Sequence, residues 1–370
     1  MFILESMFIQ RWNRLLFLVV VMGLIASSQS AFGQTRKYSN EFLNIGVGAR
    51  ALAMSGAGIA SVGDVTAGYW NPAGLTDIEA DLDIAAMHAE YFAGIANYDY
   101  GAVAKSIDST SVIALSVIRF GVDDIPNTTQ LINADGTLNY DRITTFSAVD
   151  YGFLISYAKE LPVKGLSIGG NVKVVHRMIG DFASSWGFGL DAGAIYRRGN
   201  WRFAATLRDM TSTYNAWNYT LDEETEEVFI ATGNELPENG LEITLPRLVL
   251  GASYQRDFGK FGILGEVNAV FTTDGQRNVL ISADPVSIDP MLGIEGSYLN
   301  IIFLRAGIGN IQKIKSFQGV EEYTVQPNLG VGLRLGNFFL DYAITDIGDQ
   351  SEALYSNVFS LRFRIFKQAK

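Results

Sequence analysis

Few side chains in this sequence have a claim to chemistry. The 370 residues include no cysteine and two histidines, His88 and His176. A thiolate nucleophile is therefore excluded, and neither histidine belongs to an H-E-x-x-H or follows a G-x-S-x-G nucleophile elbow. A metal site takes three or four ligands, and the histidines supply no such cluster. The densest carboxylate group is Asp222, Glu223, Glu224, Glu226 and Glu227 in "YNAWNYTLDEETEEVF". Calcium takes oxygen sets of that kind, but the EF-hand spacing is absent, so a solvated acidic loop is the stronger reading. The glycine-rich stretch 46–75, "GVGARALAMSGAGIASVGDVTAGYWNPAGL", invites a phosphate-cradling reading. That chemistry requires G-x-x-x-x-G-K-[ST], and no lysine lies between Lys37 and Lys105. The expectation is a protein that is no enzyme and takes no cofactor or metal, whose function is one of passage or binding.

The elements that would position these residues are strands. From residue 80 onward apolar side chains recur at every second position. Trp186, Phe188, Leu190, Ala192, Ala194 and Tyr196 share one face, with Gly187, Gly189, Asp191 and Gly193 on the other. Phe261, Ile263, Val267 and Phe271 oppose Glu266 and Asn268, and Phe359, Leu361, Phe363 and Ile365 oppose Ser360, Arg362 and Arg364. A period of two with one apolar face marks strands between two media. About fourteen such segments are expected, near 81–90, 97–107, 110–120, 148–161, 165–178, 184–198, 200–210, 246–258, 260–273, 289–299, 300–311, 324–335, 336–346 and 354–366. Several reach ten or more residues, the length of a tilted strand crossing a bilayer.

Connections alternate in length. Tight joints at 108–110, 161–164, 197–200, 257–260, 298–300 and 335–337 interleave with long ones, chiefly 121–147, 211–245, 274–288 and 312–323. Short turns on one rim and long loops on the other belong to an outer-membrane barrel. The expected fold is an all-β membrane protein, an antiparallel barrel of about fourteen strands, in contact with outer-membrane lipid. Charge on its lipid face is costly. Lys105, Lys173, Asp191, Arg202, Glu266, Arg305, Arg334, Asp341, Arg362 and Arg364 are therefore expected to face the lumen, either as ion-pair ladders or as a charged conduction path. Tyr91, Phe92, Tyr98, Tyr100, Tyr196, Trp201, Tyr254, Phe258 and Phe261 read as aromatic girdles. His176 continues a lipid-facing register near a strand end.

Two segments precede the barrel. Residues 1–33 read as a secretory signal, with Arg11 and Arg14 before the apolar run 15–26 and small residues after it. Without them the formal charge goes from −11 to −12, and so acidic a chain disfavours a nucleic-acid partner. Residues 34–79 lack period two but carry Ile45, Val47, Leu52, Met54, Ile59 and Trp70, too much to bury for a linker. Glycine and alanine permit close backbone approach, so this segment is expected to fill the lumen as a helical or irregular hatch, with the barrel over 80–370.

The strings "GVGARALAMSGAGIA" and "GDVTAGYWNPAGL" within Phe42–Leu75 resemble the PorV/PorQ family of Bacteroidetes outer-membrane proteins, which is related to the FadL-type transporters of hydrophobic compounds. The Asn71-Pro72-Ala73-Gly74 motif is shared with the wider FadL group. The resemblance implies a fourteen-stranded bacterial outer-membrane barrel with a lumenal hatch. It also implies an accessory role in type IX secretion, with translocon or attachment-complex proteins and cargo bearing a C-terminal signal domain as partners. The wider FadL relation implies instead a passive route for hydrophobic small molecules. The positions carried over are structural: Gly48, Arg50, Gly56, Gly58, Asp64, Trp70, Asn71, Pro72 and Gly74. Arg50 and Asp64 are candidates to pair with each other in the lumen.

Overall fold

The structure, a computed structural model, describes residues 39–131, 137–315, 321–347 and 355–367. The expected signal segment 1–33 lies outside the described residues. Strands run in chain order as β1 Leu82–Tyr91, β2 Ala96–Ser106, β3 Ser111–Asn127, β4 Thr144–Glu160, β5 Leu166–Ile179, β6 Ala183–Arg198, β7 Trp201–Arg208, β8 Thr213–Tyr219, β9 Gly240–Thr244, β10 Arg247–Phe258, β11 Phe261–Thr272, β12 Ser287–Tyr298, β13 Ile302–Lys315, β14 Glu321–Leu335, β15 Phe338–Thr345 and β16 Ser356–Ile365. All pairings are antiparallel, and β1 pairs with β16. The β5–β6 pairing completes the circle, so the fourteen strands other than β8 and β9 form a closed barrel with no free edge.

The two extra strands arise from a break. β6 pairs with β7 through Ala192↔Leu207 and with β8 through Phe188↔Tyr214. β7 and β8 thus occupy one lane, interrupted at 209–212, where Asp209 (φ 53°) and Ser212 (φ 61°) turn left-handed. Leu245 and Pro246 interrupt the neighbouring lane between β9 and β10. Inside loop 211–245 the helix α3, Glu223–Ala231, follows β8, with Asp222 as its N-cap. In the hatch, α1 spans Ala49–Ala53 and α2 Ala67–Trp70, with 3₁₀ turns at Glu41–Asn44 and Pro72–Asp77.

Outward positions are apolar over most of the wall: Ile263 and Val267 on β11, Leu304 on β13, Leu329 and Val331 on β14, and Phe359 and Leu361 on β16 are exposed. In water such a surface would aggregate; here it meets lipid, and the protein is a bacterial outer-membrane barrel. Among the described residues no helix is long and apolar enough to cross a membrane, so the strands do the crossing. Trp201 against Tyr254 (4.9 Å between ring centroids) and Phe261 against Tyr298 (5.1 Å) form a girdle at the short-turn rim. Tyr91, Tyr98 and Tyr100 are not girdle residues. They are buried inside the barrel: Tyr91 ends the inward register of β1, and β2 turns the aromatic face that carries Tyr98 and Tyr100 inward.

Candidate functional site

The lumen is occupied by residues 39–80, and the wall is carved to receive them. A Cβ on Gly169 would lie 2.5 Å from the Pro72 carbonyl carbon, and one on Gly293 would lie 2.6 Å from Met54 Cβ. A Cβ on Gly307 would overlap the Met54–Ser55 backbone, and one on Gly193 would overlap the Asn71 side-chain oxygen. Inward wall glycines thus let the hatch approach backbone to backbone. Val47, Ala53, Met54, Val65 and Leu75 are fully enclosed as a result.

Polar groups latch this plug to the wall. Arg50 donates to Glu295 on β12 at 2.9 and 3.2 Å. The same carboxylate accepts from Arg305 at 2.6 Å, and Arg305 also donates to Asp341 at 2.6 Å. Asp64 meets Arg362 of β16 at 3.0 Å, so Arg50 and Asp64 do not pair with each other: each finds its counter-charge on the wall. Glu266 of β11 accepts from the Ala60 and Ser61 amides at 2.8 and 2.9 Å. Asp77 bridges Arg197 and Arg202, each at 2.8 Å. The Asn71 amide reaches the Ile59 and Ala194 carbonyls, while its oxygen accepts from Ala73 N–H and caps the turn that Pro72 begins. Trp70 Nε1 donates to the Val47 carbonyl at 2.9 Å. Gly48 (φ 83°) and Gly56 (φ 77°) occupy left-handed conformations. Gly58 lies beside Ala51 of α1, and Gly74 sits against the Val62 carbonyl.

The remaining charges expected in the lumen fall into two groups. Lys173 is buried at the break in the wall, 3.0 Å from Asp191 and 2.5 Å from Asp209, and Asp191 accepts from the Asp209 N–H at 2.8 Å where the ladder is interrupted. Arg334 and Arg364 sit inward near the short-turn end, over the Phe339 ring at 5.3 and 4.9 Å. Lys105 departs from expectation: its side chain is on the outward, exposed face of β2. Sequence reading omitted Asp77, Arg197, Asp209 and Glu295. For Glu295 the alternation through Gly293 and Ser297 carried the signal; for Asp209 nothing local did, since its role depends on the break.

Above the plug, at the long-loop end, lies a cavity of about 750 Å³. Its floor is hatch: Leu52, Gly56, Ile59 and Trp70. Tyr91, Phe120, Val249, Val270 and Met291 line its sides together with polar residues, among them Glu41, Asn44, Arg277, Asp289, Gln326 and Asn328. Arg208 stands at the edge with its guanidinium stacked over Tyr69 and Trp70 at 4.8 and 5.5 Å. Arg247 donates to Asn44 at 2.5 Å and stands 3.8 Å from Asp209 on the same side. A second lumenal cavity, between α1 and strands β1 and β16, holds about 30 Å³, roughly one water molecule. The arrangement can hold a drug-sized apolar molecule over a closed floor.

Neither histidine joins this site. His88 lies on the outer face, its Nδ1 2.7 Å from Asp99, and His176 stacks on the outward Trp186 at 4.0 Å. Among the described residues no three His, Asp or Glu side chains are placed to hold a metal ion. The acidic run is explained by a helix: Asp222 accepts from Thr225 N–H at 2.7 Å, and Glu223, Glu224 and Glu226 occupy the first turn of α3, where the helix dipole favours negative charge.

No family model matches this chain, and no curated protein does. Solved structures do. The chain is similar to the Ralstonia pickettii toluene transporter TbuX (TM-score 0.53, 13% identity, 86% of this chain and 98% of that one). It is also similar to the Pseudomonas putida toluene transporter TodX (0.54, 13%, 87% and 99%) and to a Pseudomonas aeruginosa FadL homologue (0.50, 13%, 85% and 97%). At such identity the likeness is one of fold, a FadL-like barrel.

Proposed function

We propose that this protein is a passive outer-membrane conduit for hydrophobic small molecules, with the cavity above the hatch as its capture site. The observation that carries this reading is the cavity itself, with Trp70, Ile59 and Leu52 as floor and Tyr91, Phe120 and Val270 as walls. Two of the structures named above, described as toluene transporters, support the same reading. Movement of the hatch completes the route, since the latches described close the lumen beneath the cavity.

The test is uptake of radiolabelled toluene by cells producing the native chain or a cavity-filled Val249→Phe/Val270→Phe variant. Folding is checked by heat-modifiable migration of the barrel on gels. The expected result is uptake that depends on the protein and falls several-fold in the folded variant. Equal uptake with and without the protein would overturn the proposal.

The hatch string resembling PorV/PorQ favours a second reading, a type IX secretion accessory. It predicts that deletion blocks release of cargo bearing C-terminal signal domains and leaves toluene uptake unchanged.

A further inference from the structure

The outer face of the barrel is not equally apolar all round. On β11 the outward positions from Phe261 to Phe271 are uninterrupted by charge, a band of about 25 Å at roughly 2.5 Å of height per tilted residue. That is the height expected of a lipid-facing wall. On β2 the outward positions run Lys105, Val103, Gly101, Asp99 and Asn97. Between Lys105 and Asp99 the same rise leaves about 15 Å, with only Val103 and Gly101 between the charges. On β1 the outward positions turn polar at His88 and Glu90.

These polar groups form a line rather than an isolated patch. His88, Asp99 and Arg119 are successive cross-strand partners on β1, β2 and β3, joined by contacts of 2.7 Å (His88–Asp99) and 3.5 Å (Arg119–Asp99). On β16 the partner of His88 is the apolar Phe359, and the partner of Glu90 is Asn357, which accepts from Tyr342 at 2.6 Å. Away from β16, Arg119 pairs across the sheet with Tyr151, and Tyr151 with His176, which stacks on Trp186. Counted from the short-turn end of each strand, His88 stands six residues up, Asp99 seven, Arg119 eight, Tyr151 nine and His176 ten. The polar boundary therefore climbs around the wall and is lowest at β1 and β2. His88, Asp99 and Arg119 satisfy one another and are 50, 42 and 28% exposed, as side chains in a headgroup layer are.

We infer that the outer leaflet dips at β1 and β2, so that lipid headgroups meet the wall at His88 and Asp99 about 10 Å below their level on the opposite side. A strip this narrow cannot match an undeformed bilayer, and thinning the lipid beside it avoids placing His88, Glu90, Asp99 and Arg119 against hydrocarbon. The partner of this face is the lipid surface itself, since the polar side chains need no counter-groups from a protein.

The absence of cysteine allows a clean test. Single variants Glu90→Cys on β1 and Ala269→Cys on β11 each stand eight residues above the short-turn end of their strand. Ala86→Cys serves as a low control on β1. Each is labelled with bimane, reconstituted in phosphatidylcholine vesicles, and checked for folding by heat-modifiable migration. Lipids brominated midway along their acyl chains should quench labels at 269 and 86 several-fold more than at 90, whereas aqueous iodide should quench 90 most. Strong acyl quenching at 90, equal to that at 269, would show an undeformed bilayer and overturn the inference. Protection of 90 from both quenchers would show that protein covers this face and would overturn it equally.

Discussion

Replacing Arg50 by alanine should free the hatch without dismantling the wall. The Arg50 side chain is 24% exposed and makes two charge-assisted hydrogen bonds to Glu295, itself 11% exposed. Such bonds contribute about 1.5 kcal/mol each when partly buried. Their loss does not orphan the carboxylate, because Arg305 still holds Glu295 at 2.6 Å. The destabilisation of the seated hatch is then about 3 kcal/mol, or roughly a hundredfold rise in its displaced fraction at 1.4 kcal/mol per decade. Displacement is read through Ser61→Cys, which introduces the only thiol in the chain. Ser61 is 8% exposed and its hydroxyl lies beside the Glu266 carboxylate that already accepts from its amide, so the single Ser61→Cys variant is the reference for the comparison. α1 packs beside Gly58, and its departure uncovers this stretch. Maleimide modification of the introduced thiol should accelerate by about two decades when Arg50→Ala is added, provided that opening is fast relative to labelling. A rate within a few-fold of the parent would refute the claim that Arg50–Glu295 holds the hatch.

Other substitutions test the remaining contacts. Gly307→Val should prevent Met54 and Ser55 from seating and cost about 1–3 kcal/mol through overpacking, seen as a lower temperature for loss of the heat-modifiable folded band. Lys173→Met leaves Asp191 and Asp209 facing each other at the break in the wall. It should destabilise the barrel by about 3–5 kcal/mol, as for a broken buried ion pair, measured by urea unfolding in detergent. In α3 the Thr225 hydroxyl and N–H hold the Asp222 carboxyl below its ordinary range. A depressed folded value means that the cap stabilises α3 above the unfolded pKa and is lost as pH falls through the folded one. Hydrogen exchange in 223–231, corrected for its intrinsic pH dependence, should therefore rise below about pH 4, and Asp222→Ala should raise it already at neutral pH.

The strands were legible because a wall between lipid and lumen imposes a period of two, and each of the fourteen expected segments overlaps a strand of the ring. Their upper ends were not. β3 runs to Asn127 and β4 begins at Thr144, well inside the loop expected over 121–147, because backbone pairing continues above the lipid, where nothing forces one face to be apolar. β8, β9 and α3 were missed for the same reason. Lys105 was misplaced because β2 inverts the rule: Tyr98 and Tyr100 point inward while Asn97 and Asp99 point out. That inversion is part of the low polar boundary described above. The cavity had no local signature at all. Its floor comes from the hatch and its sides from strands far apart in sequence, so only the closed ring brings Trp70, Phe120 and Val270 together.

Where an apolar ligand settles decides whether this barrel is a conduit. Crystals of the protein soaked with p-bromotoluene locate the bromine by its anomalous scattering. The predicted peak lies in the long-loop-side cavity, over Trp70 and between Phe120 and Val270, and disappears in the Val249→Phe/Val270→Phe variant. An empty cavity, with bromine found only on the outer wall, would contradict the claim that this barrel captures hydrophobic molecules from above its hatch.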